Sequence, residues 1–324
     1  MALGTVTAVI KNDLAFEQSL VAKELFYQNI KLPKGIENRS GAVGLNEEWE
    51  KDHSQSWFVE LQRAGAQDVY VGLALQSEAH IRWGLKQLQW GFNQQQSDGS
   101  FDCKDCFHSS SFLVEAAAHS LLLIEASTWK GGFAVEIAKM KPMIHKAALW
   151  MIQPANSKLR DQGQIIYTHR RFLVAAALGQ TALLCGDEAL MQAANEYMRD
   201  GIQRQHKDGV FPEKGGFDSS YHAVALIYAQ RCSVVFVKGS LADELRVSIK
   251  KGMAWLLSRI GPTGIVSVEG NTRTGKGQEK GRSGYLKKVN RPEVARALLY
   301  YAVYFKEPTC AEIAKKVITA PLEP

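Results

Sequence analysis

Asp208-Gly209-Val210-Phe211-Pro212-Glu213-Lys214-Gly215-Gly216-Phe217-Asp218-Ser219-Ser220-Tyr221, with His222 directly after it, is the stretch on which the reading of this chain turns. It is a Gly/Pro-rich connector between two long helical patterns, and it gathers an acid, an aromatic and a histidine into one turn. Its first four residues repeat an earlier phrase, Asp98-Gly99-Ser100-Phe101, 110 residues upstream. A degenerate copy, Thr263-Gly264-Ile265-Val266, follows 55 residues beyond Asp208. The same period asks for a further unit near residue 153. The nearest phrase comes late, at Gly163-Gln164-Ile165-Ile166. Small-residue-rich segments follow the connectors: Ser109–Leu123, His169–Leu184 and Asp218–Gln230.

Around these turns the apolar residues recur with the helical period. The pattern predicts helices at about 55–76, 79–95, 109–126, 136–152, 169–186, 188–205, 218–236, 241–259, 291–305 and 309–318. No strand of alternating pattern emerges, and only the short run Gly264–Glu269 suits an extended segment. Residues 1–45 read as an N-terminal extension, with one helix over Asn12–Asn29 and then a Gly/Pro/Asn-rich loop. Residues 46–324 read as one all-α domain. Each repeat is a helix pair that cannot bury its own apolar stripe, so neighbouring pairs must stack. The Ala-rich second helices suit a crowded inner layer and the Trp/Leu-rich first helices an outer one. A closed ring of about five to six hairpins, complete or incomplete, fits this better than an open solenoid.

Composition bounds the alternatives. The chain has 324 residues, 46% hydrophobic and 22% charged, with a net charge of +6. These values are ordinary for a globular protein. No apolar run of about 18 residues stands out as a membrane span, and Met1–Phe16 lacks the charged start and apolar stretch of a signal peptide. Cytoplasmic residence is expected, or an exported location if a signal was removed. Five cysteines argue against a disulfide framework. Cys103 and Cys106 form one isolated CxxC near His108, too little for a four-ligand zinc site. No cofactor or metal is expected. Basic residues concentrate between Arg273 and Arg291, where seven Lys/Arg stand against the single acid Glu279. That excess points to an anionic partner. Gly270–Gly277 is one residue short of a Walker A loop, because Gly277 stands where Ser or Thr would hold magnesium. It reads as a flexible basic loop. Trp83, Trp90, Trp150 and Trp255 lie at helical spacing and read as core. Trp49 and Trp57 are the candidate sugar platforms.

The Asp-Gly-aromatic phrase between helix pairs resembles the α/α toroids. These include the terpene cyclase and protein prenyltransferase group and the (α/α)-barrel polysaccharide lyases and glycoside hydrolases. The resemblance covers about residues 55–318 and marks a fold more than a reaction. In such a ring the connectors into the inner helices line the central cavity. Here they carry His108 to Ser111; Tyr167, His169, Arg170 and Arg171; Asp218 to His222; and Glu269, Asn271, Arg273, Gln278, Lys287, Lys288 and Asn290.

Likeness to the lyases implies β-elimination on a uronate-containing glycan. That reaction must neutralise the substrate carboxylate, remove the weakly acidic α proton and protonate the leaving oxygen. Tyr221 or Tyr167 would serve as base and acid, and His169 or His222 as second base. Arg170, Arg273 and Asn271 would hold the carboxylate, with Glu269, Lys287 and His108 as further substrate contacts. An Asn-His-Ser-Tyr phrase of the alginate-lyase type is absent from the sequence. The alternative is glycoside hydrolysis by Asp218 with Glu269 or Glu213. Isoprenoid chemistry lacks its DxDD motif, and aromatics make up only 9% of the chain. A non-enzymatic binding toroid is the remaining class, in which Asp218 and Ser109 are only helix caps. The expected partner is an acidic oligo- or polysaccharide, with neither nucleic acid nor a membrane.

Overall fold

In a computed structural model, residues 3–43, 56–157, 166–281 and 284–321 are described. Among them the protein is all-α. The longer helices are α1 (Leu3–Glu17), α2 (Ala64–Leu75), α3 (Glu78–Phe92), α4 (Cys106–Ala126), α5 (Ala134–Ile152), α6 (His169–Cys185), α7 (Glu188–Gln203), α8 (Ser219–Val235), α9 (Ser240–Ser258), α10 (Arg291–Tyr304) and α11 (Thr309–Thr319). Among the described residues the extended pairings are isolated bridges, including Ile260 with Val266 in the run expected to be extended. The chain forms two compact units. The first comprises Met1–Gln162 with Val174–Ala194, the second Gly163–Leu173 with Asn195–Pro324.

Two kinds of helix alternate. α4 is buried continuously from Phe107 to Ile124, and α8 is buried on almost every side. A helix is buried all round where its faces are apolar or small and its polar groups find partners inside, as His119 does with Asp13 and Tyr70. The Ala-rich segments 116–118 and 223–229 meet that condition. By length and composition α4 would also suit a membrane span, contrary to the sequence reading, but its apolar window is wholly inside the fold. α3 and α9 instead bury one stripe. Ile81, Leu85, Leu88 and Phe92 recur at helical spacing on α3, and Leu241, Leu245, Ile249 and Met253 on α9. In the first unit α2 packs on α3, and α4 on α5 and α1. In the second, α8 packs on α9 and α10, and α10 on α11.

The repeated turn does the same work each time. Gly99 (φ +99°) presses on the Lys146 carbonyl oxygen and Gly209 (φ +100°) on that of Lys251, so an added Cβ would sit 2.5 and 2.4 Å away. Gly264 (φ +87°) meets Lys316 oxygen in the same way, at 2.3 Å. Both the positive φ and the close approach exclude a side chain. Asp98 Oδ1 accepts from Ser100 N at 2.9 Å, and Asp208 Oδ1 from Val210 N at 3.2 Å. Gln95 and Gln205 then staple each turn to the next helix. Their amides donate to Gly99 and Met143 oxygens, and to Gly209 and Ser248 oxygens.

A further copy lies where sequence reading did not place one. Gly41 (φ +101°) brings its Cβ position within 2.5 Å of Lys86 oxygen, and Ser40 Oγ accepts from Ala42 N at 3.1 Å. The phrase at Gly163-Gln164-Ile165 lies outside the described residues, as does Trp49.

The helix expected over 55–76 is broken at Gln62 and Arg63, after the short helix Phe58–Leu61. α2 must reach α3 at a glycine–glycine crossing, where a Cβ on Gly65 or Gly84 would lie 2.5 or 2.4 Å from the other's carbonyl oxygen. The chain turns to meet that contact. The N-terminal helix ends at Glu17 and continues as a π turn over Lys23–Tyr27. Its acids face inward. Asp13 bonds His119 Nε2, whose Nδ1 meets Tyr70 hydroxyl at 2.7 Å, and Glu17 accepts from Tyr27 hydroxyl. These buried pairs tie α1 to α4 and α2. Cys103 is buried in the first unit, and that burial pushes its thiol up to about 12, against the thiolate a metal needs.

Candidate active site

Three connectors of the second unit are joined through their backbones. Thr168 N donates to Pro212 O at 3.3 Å and Lys214 N to Ile166 O at 2.8 Å. Thr272 N donates to Phe217 O at 2.9 Å, and its hydroxyl reaches Glu213 O at 2.7 Å. The turn that lets 213–217 meet both neighbours uses Lys214 (φ +51°) and Gly215 (φ +80°). The starts of α6 and α8 and the loop 271–274 are thereby held in one place.

Asp218 fastens this arrangement. It is the N-cap of α8, accepting from Ser220 N and Tyr221 N at 3.0 and 3.1 Å. Its other oxygen accepts from Arg273 N at 3.1 Å, Thr274 N at 2.6 Å and Thr274 hydroxyl at 3.0 Å. Asn271 completes the knot. Its oxygen accepts from Ser219 N, and its amide donates to Thr274 hydroxyl. Both residues are buried.

The knot presents a cluster of rings and charges. His169 Nδ1 lies 2.6 Å from Glu213 Oε1, which also accepts from His169 N at 3.1 Å. A carboxylate only accepts, so the ring proton sits on Nδ1 and the Nε2 lone pair is the basic one. Burial pushes the His169 imidazole below its ordinary range, with Glu213 opposing that shift, and the ring is neutral at pH 7. The His169 ring is 5.0 Å from that of Tyr221 and 6.2 Å from that of Tyr167.

Arg273 lies between the two tyrosines. Its guanidinium carbon is 3.5 Å from the Tyr221 ring centre and 4.8 Å from that of Tyr167, whose ring also carries Arg170 at 4.5 Å. Arg273 Nη1 faces Glu213 Oε2 at 3.6 Å, too far for a hydrogen bond. Lys287 Nζ donates to Tyr221 hydroxyl at 2.9 Å. Glu279 binds Arg273 through Nε and Nη2, at 3.1 and 2.9 Å, and also accepts from Lys287 and from Lys214. Burial pushes the Glu279 carboxyl up, but the hydrogen bonds and charges of Arg273 and Lys287 together hold it far below the usual carboxylate range. Arg170, Lys214, Arg273 and Lys287 stand against Glu213, Glu279 and Asp218, four cations to three carboxylates.

The structure therefore brings together Tyr167, His169, Arg170, Tyr221, Arg273 and Lys287. The other expected residues have different tasks. His222 is corrected from second base to core histidine. Its Nδ1 accepts from Phe211 N at 3.0 Å, and its Nε2 donates to Gly252 O at 2.8 Å. Its ring packs on Phe211 and Trp255, and burial lowers it to about 4. Asp218 and Asn271 have their oxygens taken up in the knot, as positioning groups rather than reacting ones. Glu269 is exposed and bonds Arg259 through its carbonyl, beside an open groove with Ser258 and Lys276. His108 belongs to the first unit, where its ring packs on Phe112.

From sequence Glu213 is offered only as a hydrolytic carboxylate, and Glu279 and Lys214 have no assigned role. Glu279 carried one signal, being the single acid in the basic run. A scan against protein-family models gives no match, and a search of curated proteins gives none either.

Proposed function

We propose that the chain is a carbohydrate-active enzyme that cleaves an acidic, uronate-containing glycan by β-elimination. The observation that carries the reading is the surroundings of the Tyr221 hydroxyl. A lysine donates to it, an arginine covers its ring and a carboxylate-held histidine lies alongside. Arg273 and Lys287 are suited to neutralise the substrate carboxylate, which makes the α proton removable. His169, oriented and kept neutral, takes that proton on Nε2. The electron pair forms the new carbon–carbon double bond as the β carbon–oxygen bond breaks. Tyr221 gives its proton to the departing oxygen, and the two nearby cations stabilise the phenolate left behind.

Hydrolysis is less well served. It needs two carboxyl groups facing the bond with room between them. Asp218 is saturated by five donors, Glu213 is buried against His169, and Glu269 is exposed elsewhere on the loop. The reading keeps the α/α toroid as its architecture, supported by the recurring Asp-Gly turn.

The test is incubation with a panel of uronate polymers and oligomers while following the ultraviolet absorbance of the unsaturated product. Wild type runs beside Tyr221→Phe and His169→Ala. Product with one substrate, lost in both variants, is expected. New reducing ends without absorbance would move the reading to hydrolysis, and silence in both assays would end it.

A further inference from the structure

Glu279 is bound as a substrate carboxylate would be. Arg273 holds its two oxygens with two nitrogens of one fork, Nε to Oε2 and Nη2 to Oε1, which is the geometry of planar carboxylate recognition. Lys287 reaches Oε1 and Lys214 reaches Oε2 at 3.2 Å, so three cations converge on one carboxyl group.

The backbone beneath it is pinned on both sides. Glu279 N donates to Arg273 O at 3.0 Å, and Lys287 N to Glu279 O at 2.8 Å. The turn that returns the chain uses Gly275 (φ +56°) and Gln278 (φ +51°). The side chain is 19% exposed, while the Arg273 side chain below it is 7% exposed.

We propose that Arg273, Lys287 and Lys214 form a seat for the carboxylate of a uronate, and that Glu279 fills this seat as a built-in competing ligand until substrate displaces it. This rests on reading the cluster as a substrate site. The seat explains why seven basic residues between positions 273 and 291 come with one acid, and why that acid lies against Arg273 and Lys287 rather than in solvent. With Glu279 turned out, the cluster stands at four cations to two carboxylates, a surplus that an incoming uronate meets. The competitor sets a threshold. A single uronate must outbind an intramolecular carboxylate, whereas a chain of several gains from contacts elsewhere.

The test is calorimetric titration of full-length protein with D-glucuronate as probe. Glu279→Gln keeps the shape and removes the charge, and the expected result is binding about tenfold tighter or more than wild type. Arg273→Lys is expected to bind weakly whichever residue stands at 279. Unchanged or weaker binding by a folded Glu279→Gln protein would overturn the proposal.

A second measurement needs no variant. The Glu279 carboxyl carbon resonance in wild type is expected to shift as glucuronate saturates, and a resonance unmoved at saturation overturns the competitor role. The two readings separate cleanly. Tighter glucuronate binding without unsaturated product from any polymer keeps the seat and removes the lyase. Unsaturated product with weaker binding by Glu279→Gln keeps the lyase and removes the competitor.

Discussion

Acidification should destabilise the fold through His222. This histidine is wholly buried, with its ring nitrogens taken by Phe211 N and Gly252 O, and burial lowers it to about 4 from an ordinary 6.5. The folded value lies below the unfolded one, so the unfolded chain takes up the proton first. The stabilising contribution is complete above about pH 6.5 and is lost as pH falls towards 4. The gap is about 2.5 pH units at about 1.4 kcal/mol each, which makes the full loss about 3.5 kcal/mol. His169 is also lowered by burial and adds in the same direction. Glu279 acts only below the ordinary carboxylate value of 4.5, at the acid edge of this window. Urea unfolding followed between about pH 7 and pH 4.5 measures the effect, with His222→Gln as the reference. Glutamine can accept from Phe211 N and donate to Gly252 O, yet it cannot take up the proton. Wild type should lose about 2–3 kcal/mol more than the variant across that range. Parallel curves would show that His222 titrates normally in the fold and refute the reasoning. His222→Gln should also retain elimination activity, whereas a catalytic base at this position would leave the variant inactive.

Three other outcomes are expected. Gly209→Ala should destabilise by about 3–5 kcal/mol in chemical denaturation, because it adds a 2.4 Å approach to Lys251 oxygen to the strain of φ +100°; Gly215→Ala, with φ +80° and open space around it, should cost only about 1–2 kcal/mol, and equal losses would deny the turn its packing role. Arg273→Lys should raise KM for acidic oligosaccharides about tenfold or more, since an ammonium cannot bind both carboxylate oxygens in one plane; an unchanged KM would remove Arg273 from the substrate. Glu213→Gln should lower kcat about a hundredfold by releasing the His169 ring from its orientation, and a steady-state assay showing full kcat would leave the pair without a catalytic part.

The helices were legible because burial follows a period, and one residue type hides that period less than another. α3 and α9 show it plainly through Ile81, Leu85 and Leu88, and through Leu241, Leu245 and Ile249. The helix expected over Asn12–Asn29 instead spans Leu3–Glu17, and its Asp13 and Glu17 give no sequence sign that they are wholly buried and bonded to His119 and Tyr27. The repeat was legible where its decoration survived, and at Thr263-Gly264 through its spacing from Asp208. Asp98 and Asp208 drew attention, but the turn needs a glycine at positive φ against a carbonyl and a small polar side chain before it. Ser40-Gly41 meets both conditions without the aspartate or the aromatic. The Gln62 break was not legible, since it depends on how closely Gly65 and Gly84 bring two helices together.

The site divides along a similar line. Sequence can nominate residues at helix starts, but it cannot say which serve the helix and which face outward. Asp218 accepts from the amides of its own first turn, whereas Tyr221, three residues on, meets Arg273 and Lys287 from a loop more than 50 residues away. His169 opens α6 as Asp218 precedes α8, yet its partner is a carboxylate 44 residues distant. Charge adds a constraint that no single position reveals. Arg273 and Lys287 crowd around one phenol, and cations at such spacing repel unless an anion lies between them. That anion is Glu279. The lone acid of a basic run is therefore the residue whose removal should most change what the run binds, because the cations it holds are the ones a ligand would use.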